Sequence, residues 1–245
     1  MHTRLRYSVY RGIQTLFKSA GLWIGFDHPV RNAPKLFAVK AAELGVNCVL
    51  DAGANRGQFA REVRECGYTG TIVSFEPQSS VHAELADASA GDANWYVAPR
   101  MALGDMEGAA EINISENLAS SSLLPVMERS VSAAAGSAFA AKETVPVHRL
   151  DDVIEAAWKP PFGLKLDTQG FEIRVLEGGL ETLAQTKLVL SEMSLSELYE
   201  GGASFVDVYR FLQAQGFRCI SLVHGFADNT RHELLQVDGV FVREP

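Results

Sequence analysis

Val49-Leu50-Asp51-Ala52-Gly53-Ala54-Asn55-Arg56-Gly57 is the stretch that decides the fold. The apolar run 46–51 ends in an acid and runs straight into glycines, after which Phe59, Val63 and Cys66 recur at helical spacing. A buried strand that turns at once into a helix is the building unit of a doubly wound α/β sheet. Gly53 permits a tight turn and lets backbone approach a ligand closely. The helix that follows presents free N–H groups at its start, suited to a carboxylate or phosphate. Gly53 and Gly57 have no glycine between them, so the spacing is not the G-x-G-x-x-G of dinucleotide enzymes.

Outward from this turn the alternation of strand and helix continues. Residues 71–76 form a second buried-strand candidate closed by Glu76, and an acid there can accept two hydrogen bonds from a ribose diol. Turn and acid together imply an adenosine-containing ligand at the carboxyl edge of the sheet. Residues 81–88 suit a helix and 95–98 a third strand. Residues 109–115 and 145–149 alternate apolar and polar, as edge strands or a hairpin would. Residues 162–167 and 187–192 are further central strands, with the helical stretch 171–185 between them. Residues 205–215 suit a helix, and 217–223 and 234–242 are two strands that could pair antiparallel. The expected architecture is a mostly parallel seven-stranded sheet with a C-terminal antiparallel pair and an inserted edge hairpin.

The 245 residues suit one domain, here expected over 41–245, with residues 115–144 as an insertion lying over a site. Residues 1–40 differ from the rest. Seven of them are Lys or Arg, Asp27 is the only acid, and Leu5, Val9, Ile13, Leu16, Phe17 and Ala20 share a helical face. Such a segment is either a leading helix packed on the domain or a basic amphipathic helix making peripheral contact with a membrane. A net charge of −8 argues against nucleic acid as the main partner. Three scattered cysteines form neither a disulfide framework nor a zinc site, and no apolar run is long enough to cross a bilayer, so the expected compartment is the cytoplasm. Oligomeric state leaves no mark in the sequence.

Five stretches resemble a known group in order and spacing. Asp51-x-Gly53-x-x-x-Gly57 and Ser74-Phe75-Glu76-Pro77 are similar to the first two motifs of class I methyltransferases. Ala102-Leu103-Gly104-Asp105 with Gly108, residues 145–152, and residues 164–172 leading to Leu176-Glu177-Gly178 narrow the resemblance to the FkbM family, from about Asn47 to Val242. The resemblance implies a Rossmann-like fold, S-adenosylmethionine as cofactor, and O-methylation of a hydroxyl on a sugar, a glycolipid or a polyketide-type natural product. By position Asp51, Gly53, Asn55 and Gly57 would frame the methionine end of the cofactor, Glu76 would hold the ribose, and Ala102 and Leu103 would lie near the adenine. The family usually carries a second acid two residues after the Asp that closes the fourth strand, and here that residue is Gln169.

For the transfer itself, the carboxyl ends of central strands offer Asp167 and Glu192, with Lys165 on the same face of its strand as Asp167. Either carboxylate could act as general base or orient the hydroxyl, while Lys165 could pair with a carboxylate or hold an acceptor oxygen. Alternatively both acids could ligate Mg²⁺, a layout similar to catechol-type methyltransferases; two carboxylates are few for an ion, which favours metal-free transfer. The competing functions are an NAD-dependent oxidoreductase, disfavoured by the missing glycine fingerprint and the absence of a Tyr-x-x-x-Lys pair, and a non-catalytic S-adenosylmethionine-binding domain. Asp105, Asp151 and Asp152 suit capping roles, and Ser120-Ser121-Ser122 suits either a linker or a polyol contact.

Overall fold

The computed structural model describes residues 29–134 and 136–243. The amphipathic stretch between Leu5 and Ala20 therefore lies outside the described residues. The chain enters through a short 3-10 turn, Pro29–Arg31, and helix α1 (Ala33–Leu44). Asn32 starts this helix by accepting the Lys35 amide, Pro34 sits in its first turn, and Gly45 ends it in a left-handed conformation. Leu36, Phe37 and Ala41 of α1 are buried in the core, so the helix runs through residue 40 and packs on the sheet.

Strand β1 (Cys48–Ala52) is buried at every position, as a central parallel strand must be. Helix α2 (Gln58–Glu65), β2 (Thr71–Phe75), α3 (Ser79–Ser89) and β3 (Trp95–Val97) complete the first half. A smaller region follows: β4 (Ala102–Gly104), β5 (Gly108–Ser115), α4 (Glu128–Ala133), β6 (Phe139–Arg149) and α5 (Leu150–Val153). The second half contains β7 (Phe162–Leu166), α6 (Glu172–Glu177), α7 (Leu180–Ala184), β8 (Thr186–Ser194), α8 (Phe205–Ala214), β9 (Arg218–His224), a short pair β10 (Ala227–Asp228) and β11 (Glu233–Leu234), and β12 (Gln236–Val242).

The main sheet has the strand order β3-β2-β1-β7-β8-β12-β9. It is parallel from β3 to β8, and β12 inserts antiparallel between β8 and β9. The order reverses between β1 and β7, so their carboxyl ends diverge into a crevice. Helices α1 and α2 cover one face through Phe37, Phe59 and Val63. Helices α6, α7 and α8 cover the other through Val175, Leu176, Leu183, Val208 and Leu212.

Three details depart from the sequence reading. The hairpin of β5 and β6 forms, but it recruits β4 and stands as a separate three-stranded sheet rather than at the edge of the main one. The last part of the insertion is strand, because β6 already begins at Phe139 and pairs with Ser115 at the far end of β5, while α4 supplies a helix within it. The single helix expected over 171–185 is two, broken at Gly178 and Gly179. A Cβ on Gly178 would lie 1.9 Å from the Gly104 carbonyl of β4, so only glycine lets the helix come this close. Asp151 then restarts the chain as α7 by accepting the Glu181 and Thr182 amides.

Candidate active site

Parallel register puts Asp51 of β1 directly opposite Lys165 of β7. Both are buried, and Lys165 Nζ lies 3.2 Å from Asp51 Oδ1 and donates to the Gly53 carbonyl at 2.7 Å. The ammonium thereby holds the glycine turn from beneath. Ser74 donates to Asp51 at 3.2 Å and receives the Trp95 indole N–H at 3.0 Å, which extends the network across β2 to β3. Burial pulls the Lys165 ammonium toward neutrality, but Asp51 and Asp167 outweigh it and its pKa rises, so the side chain stays charged. Asp167 Oδ2 is 3.6 Å from the same ammonium.

Above this network lies a cavity of about 530 Å³, a volume ordinary for small-molecule sites. One end is the turn Gly53-Ala54-Asn55 together with Glu76, Ala102 and Leu103. Gly53 has φ 74°, and a Cβ there would sit 1.9 Å from the Asp167 carbonyl. Glycine is thus required by the neighbouring strand end. Asn55 is also left-handed, φ 47°, and its amide donates to Glu76 Oε2 at 2.9 Å. Gln78 donates its amide to Glu76 Oε1 at 2.9 Å. Each oxygen keeps a further lone pair. Burial outweighs these bonds and pushes the Glu76 carboxyl up to about 7. Asp51 and Gly57 do not line the cavity. Asp51 anchors Lys165 from below, and Gly57, φ 77°, packs where a Cβ would meet the Trp95 ring at 2.5 Å.

The other end is acidic. Asp167 leaves the end of β7, Glu192 stands on β8, and β12 places Asp238 directly opposite Glu192. Like charges facing each other across a sheet are destabilising, which marks this end as built for something other than stability. Desolvation, together with Asp167, Glu172 and Asp238, holds the Glu192 carboxyl well above the usual range. Burial, then Asp167, pushes Asp238 up to about 6. Gln236 donates to Glu192 Oε2 at 2.7 Å, and Gln169 donates to Asp167 Oδ1 at 2.6 Å and to Glu192 Oε2 at 2.9 Å. Among the described residues no group of three or more His, Cys, Asp or Glu side chains is arranged to hold a metal ion.

The insertion forms the roof. Ser121 accepts the Ser115 amide at 3.0 Å and approaches Gln78 Oε1 at 3.0 Å, while Ser122 donates to the Gln169 carbonyl at 2.7 Å. Ser121 and Ser122 are thus a seam between the insertion and both ends of the cavity. Sequence reasoning missed Gln78, Tyr199, Gln236 and Asp238 as lining residues. The available signal was polar side chains embedded in apolar surroundings, above all Asp238 between Val237 and Val240. His148 pairs with Glu107 and Asp105 with Arg174, both away from this cavity.

The donor set suits an adenosine sulfonium ligand. A left-handed glycine turn allows close backbone approach, and a buried carboxylate with free lone pairs stands at the end of the neighbouring strand.

Comparisons with known proteins agree. An rRNA methylase structure from Streptococcus thermophilus superposes with a TM-score of 0.50 at 9% identity, over 91% of this chain and all of that one, and shares the class I methyltransferase fold. The 2-O-methyltransferase NoeI of Sinorhizobium fredii is 28% identical over 167 residues, which is 62% of this chain. The match spans 65% of that relative, a little less than two thirds of its length. The family described as the methyltransferase FkbM domain matches residues 51–219, from the Asp51 turn into β9, and the chain belongs to that family.

Proposed function

We propose that the protein is an S-adenosylmethionine-dependent O-methyltransferase whose acceptor is a hydroxyl of a sugar, a glycolipid or a polyketide-type natural product. One observation carries the reading: a single cavity joins the Gly53–Glu76 end to the Asp167–Glu192 end. A ligand held at the first end points its reactive group at the carboxylates of the second. Similarity to a 2-O-methyltransferase supports an oxygen acceptor.

When bound, S-adenosylmethionine supplies a methyl group on a sulfonium, which needs only an aligned nucleophile. The chain's work is then positioning and proton removal. Glu76 would accept hydrogen bonds from the ribose hydroxyls, and the turn at Gly53 and Asn55 would hold the methionine portion. Ala102 and Leu103 provide apolar contact for the base. Lys165 keeps the turn in place through the Gly53 carbonyl. Asp167, whose side chain is 38% exposed, is the more open carboxylate and faces the acceptor hydroxyl. It takes the hydroxyl proton as the oxygen gains the methyl, and Glu192 behind it orients the pair. Residues 115–144 cover the acceptor.

The test is a methyl-transfer screen with S-adenosylmethionine against sugar, glycolipid and hydroxylated natural-product acceptors, read by product mass. A product 14 Da heavier than a hydroxyl acceptor supports the reading. Transfer only to nitrogen acceptors, or thermal stabilisation by NAD and not by S-adenosylhomocysteine, overturns it.

A further inference from the structure

Gln169 stands where the resemblance to the family leads one to expect an acid, and the structure gives it a specific occupation. It has φ 52° and is followed by Gly170 at φ 95°, two left-handed residues that turn the chain sharply after β7. Glu172 pins this turn by accepting the Thr168 amide at 2.9 Å, the Thr168 hydroxyl at 3.2 Å and the Gly170 amide at 3.2 Å. The turn carries the Gln169 side chain back over the strand ends. There its Nε2 meets Asp167 and Glu192, and its Oε1 lies 2.6 Å from the Tyr199 hydroxyl.

The amide orientation follows from its neighbours. A flipped amide would aim Oε1 at two carboxylates, whereas Nε2 can give each of them one hydrogen. Tyr199 completes the arrangement. Burial, then Glu192 and Asp167, raises the Tyr199 pKa, so the phenol keeps its proton. The Tyr199 hydroxyl is also 3.2 Å from the Ser120 carbonyl of the insertion.

We propose that Gln169 is a positioning residue: its side-chain amide clamps Asp167 and Glu192 as a pair lining the acceptor end of the cavity. The role rests on the proposed methyl transfer for its purpose but not for its geometry. An amide at this place supplies one donor to each carboxylate and adds no charge. An acid would add a further negative group to a cluster that already holds Asp167, Glu192, Asp238 and Glu172, with Asp51 and the Lys165 ammonium below and the neutral Tyr199 above. Donors to an ionised carboxylate favour the ionised form, so the clamp holds the two carboxylates aligned and opposes the upward pull of burial and neighbouring acids on Glu192.

The variants are Gln169→Met, which keeps length without donors, Gln169→Glu, which replaces the donors by charge, and Gln169→Asn, which suits the left-handed backbone but leaves the amide short. The carboxyl carbon resonance of ¹³C-labelled Glu192, titrated in the whole protein, reads the clamp without any acceptor. Loss of the donor should move the Glu192 midpoints up by about one pH unit or more in Gln169→Met, further in Gln169→Glu, and less in Gln169→Asn. The acidic limb of the rate–pH profile should move with them, kcat should fall more than KM rises, and S-adenosylhomocysteine affinity should stay within about twofold of the original protein. If Gln169→Met fails to fold, the Gln169→Asn titration decides. Unchanged midpoints in a folded variant overturn the clamp. Shifted midpoints in a protein that methylates no acceptor support the clamp and overturn the methyltransferase reading, so the two failures are distinguishable.

Discussion

At the Glu76 end, the cavity wall is mostly backbone: a turn of three residues, two of them left-handed, held by a carboxylate that binds the Asn55 and Gln78 amides. At the Glu192 end, the wall is side chains drawn from four separate segments: Asp167 and Gln169 after β7, Glu192 on β8, Tyr199 beyond it, and Gln236 and Asp238 on β12. The first construction demands particular residue types over a short run, because only certain residues adopt its backbone. The second demands only that side chains of fitting chemistry converge, and convergence is a property of the sheet order. On the proposed function, cofactor recognition falls to the constrained end, and acceptor choice to the end where substitution is tolerated by the backbone.

The two ends meet at Gly53, and the largest expected effect is there. A Cβ would overlap the Asp167 carbonyl at 1.9 Å, and φ 74° is strained for any other residue. Gly53→Ala should therefore cost on the order of 3 kcal/mol or more. For a chain of this size that lowers Tm by roughly 10 °C, as calorimetry would show. A Gly53→Ala protein of normal Tm that had lost only cofactor affinity would break the link between the ends, and would mean that glycine serves the ligand alone.

The contrast also explains what could be foreseen. The apolar run into Asp51-Ala52-Gly53 could be read because a buried parallel strand and a left-handed turn each leave a compositional trace. Glu76 could be read because it closes the adjacent strand. Asp167 and Glu192 were visible for the same reason. Tyr199, Gln236 and Asp238 were not, since nothing local says that β12 inserts between β8 and β9. Gln169 showed only as a departure from a pattern; its bridge depends on Glu192, 23 positions later. Lys165 could be placed on the site face, but its position beneath Gly53 needed the register of β1 against β7. Seam and linker look alike in a serine run, and only the partners Gln78 and Gln169 separate them.

Next in size are the acceptor-end carboxylates. Asp167→Asn and Glu192→Gln each keep shape while removing a proton acceptor. Each should bind S-adenosylhomocysteine normally and lose about 10²-fold or more in kcat. Steady-state kinetics beside calorimetric titration checks this. Full turnover in both variants would move the chemistry elsewhere along the cavity.

Glu76 sharpens the comparison because stability and binding should respond to it with opposite signs. Its folded-state pKa of about 7 lies above the ordinary 4.5. Between those values the folded state holds more protons than the unfolded one, so without ligand stability falls as pH rises from 4.5 to 7 and is level beyond. The loss is roughly 3 kcal/mol. Glu76→Gln should flatten that slope and raise Tm at pH 8 in the absence of ligand. Binding runs the other way, because the ionised carboxylate is the better acceptor for a ribose diol. Affinity for S-adenosylhomocysteine should weaken as pH falls below about 7, and Glu76→Ala should weaken it tenfold or more at neutral pH. Melting curves and Kd across pH 4.5 to 8 test both signs; equal Kd for Glu76→Ala and the original protein would remove Glu76 from the ligand site.

The smallest effect belongs to the roof, and it asks whether the two ends communicate through it. Ser121 accepts the Ser115 amide, approaches Gln78 at 3.0 Å and lies 2.9 Å from the Leu118 carbonyl. Gln78 in turn gives its amide to Glu76 and its side-chain nitrogen to the Leu118 carbonyl. Ser121→Ala keeps the fold of the turn but removes the hydroxyl, at about 1 kcal/mol for a buried hydrogen bond lost from a partly satisfied network. Were the insertion only packed over the cavity, that cost would appear as a Tm lower by roughly 2–4 °C and nothing else. If the seam also aligns the roof over the acceptor, the acceptor KM should rise severalfold, about fivefold for 1 kcal/mol of uniform binding, with kcat nearly unchanged. Cofactor Kd should stay within about twofold, because Glu76 keeps both of its backbone donors. A rise in cofactor Kd equal to the rise in acceptor KM would instead make Gln78 a coupling between the two ends, and the separation drawn between backbone and side-chain construction would have to give way.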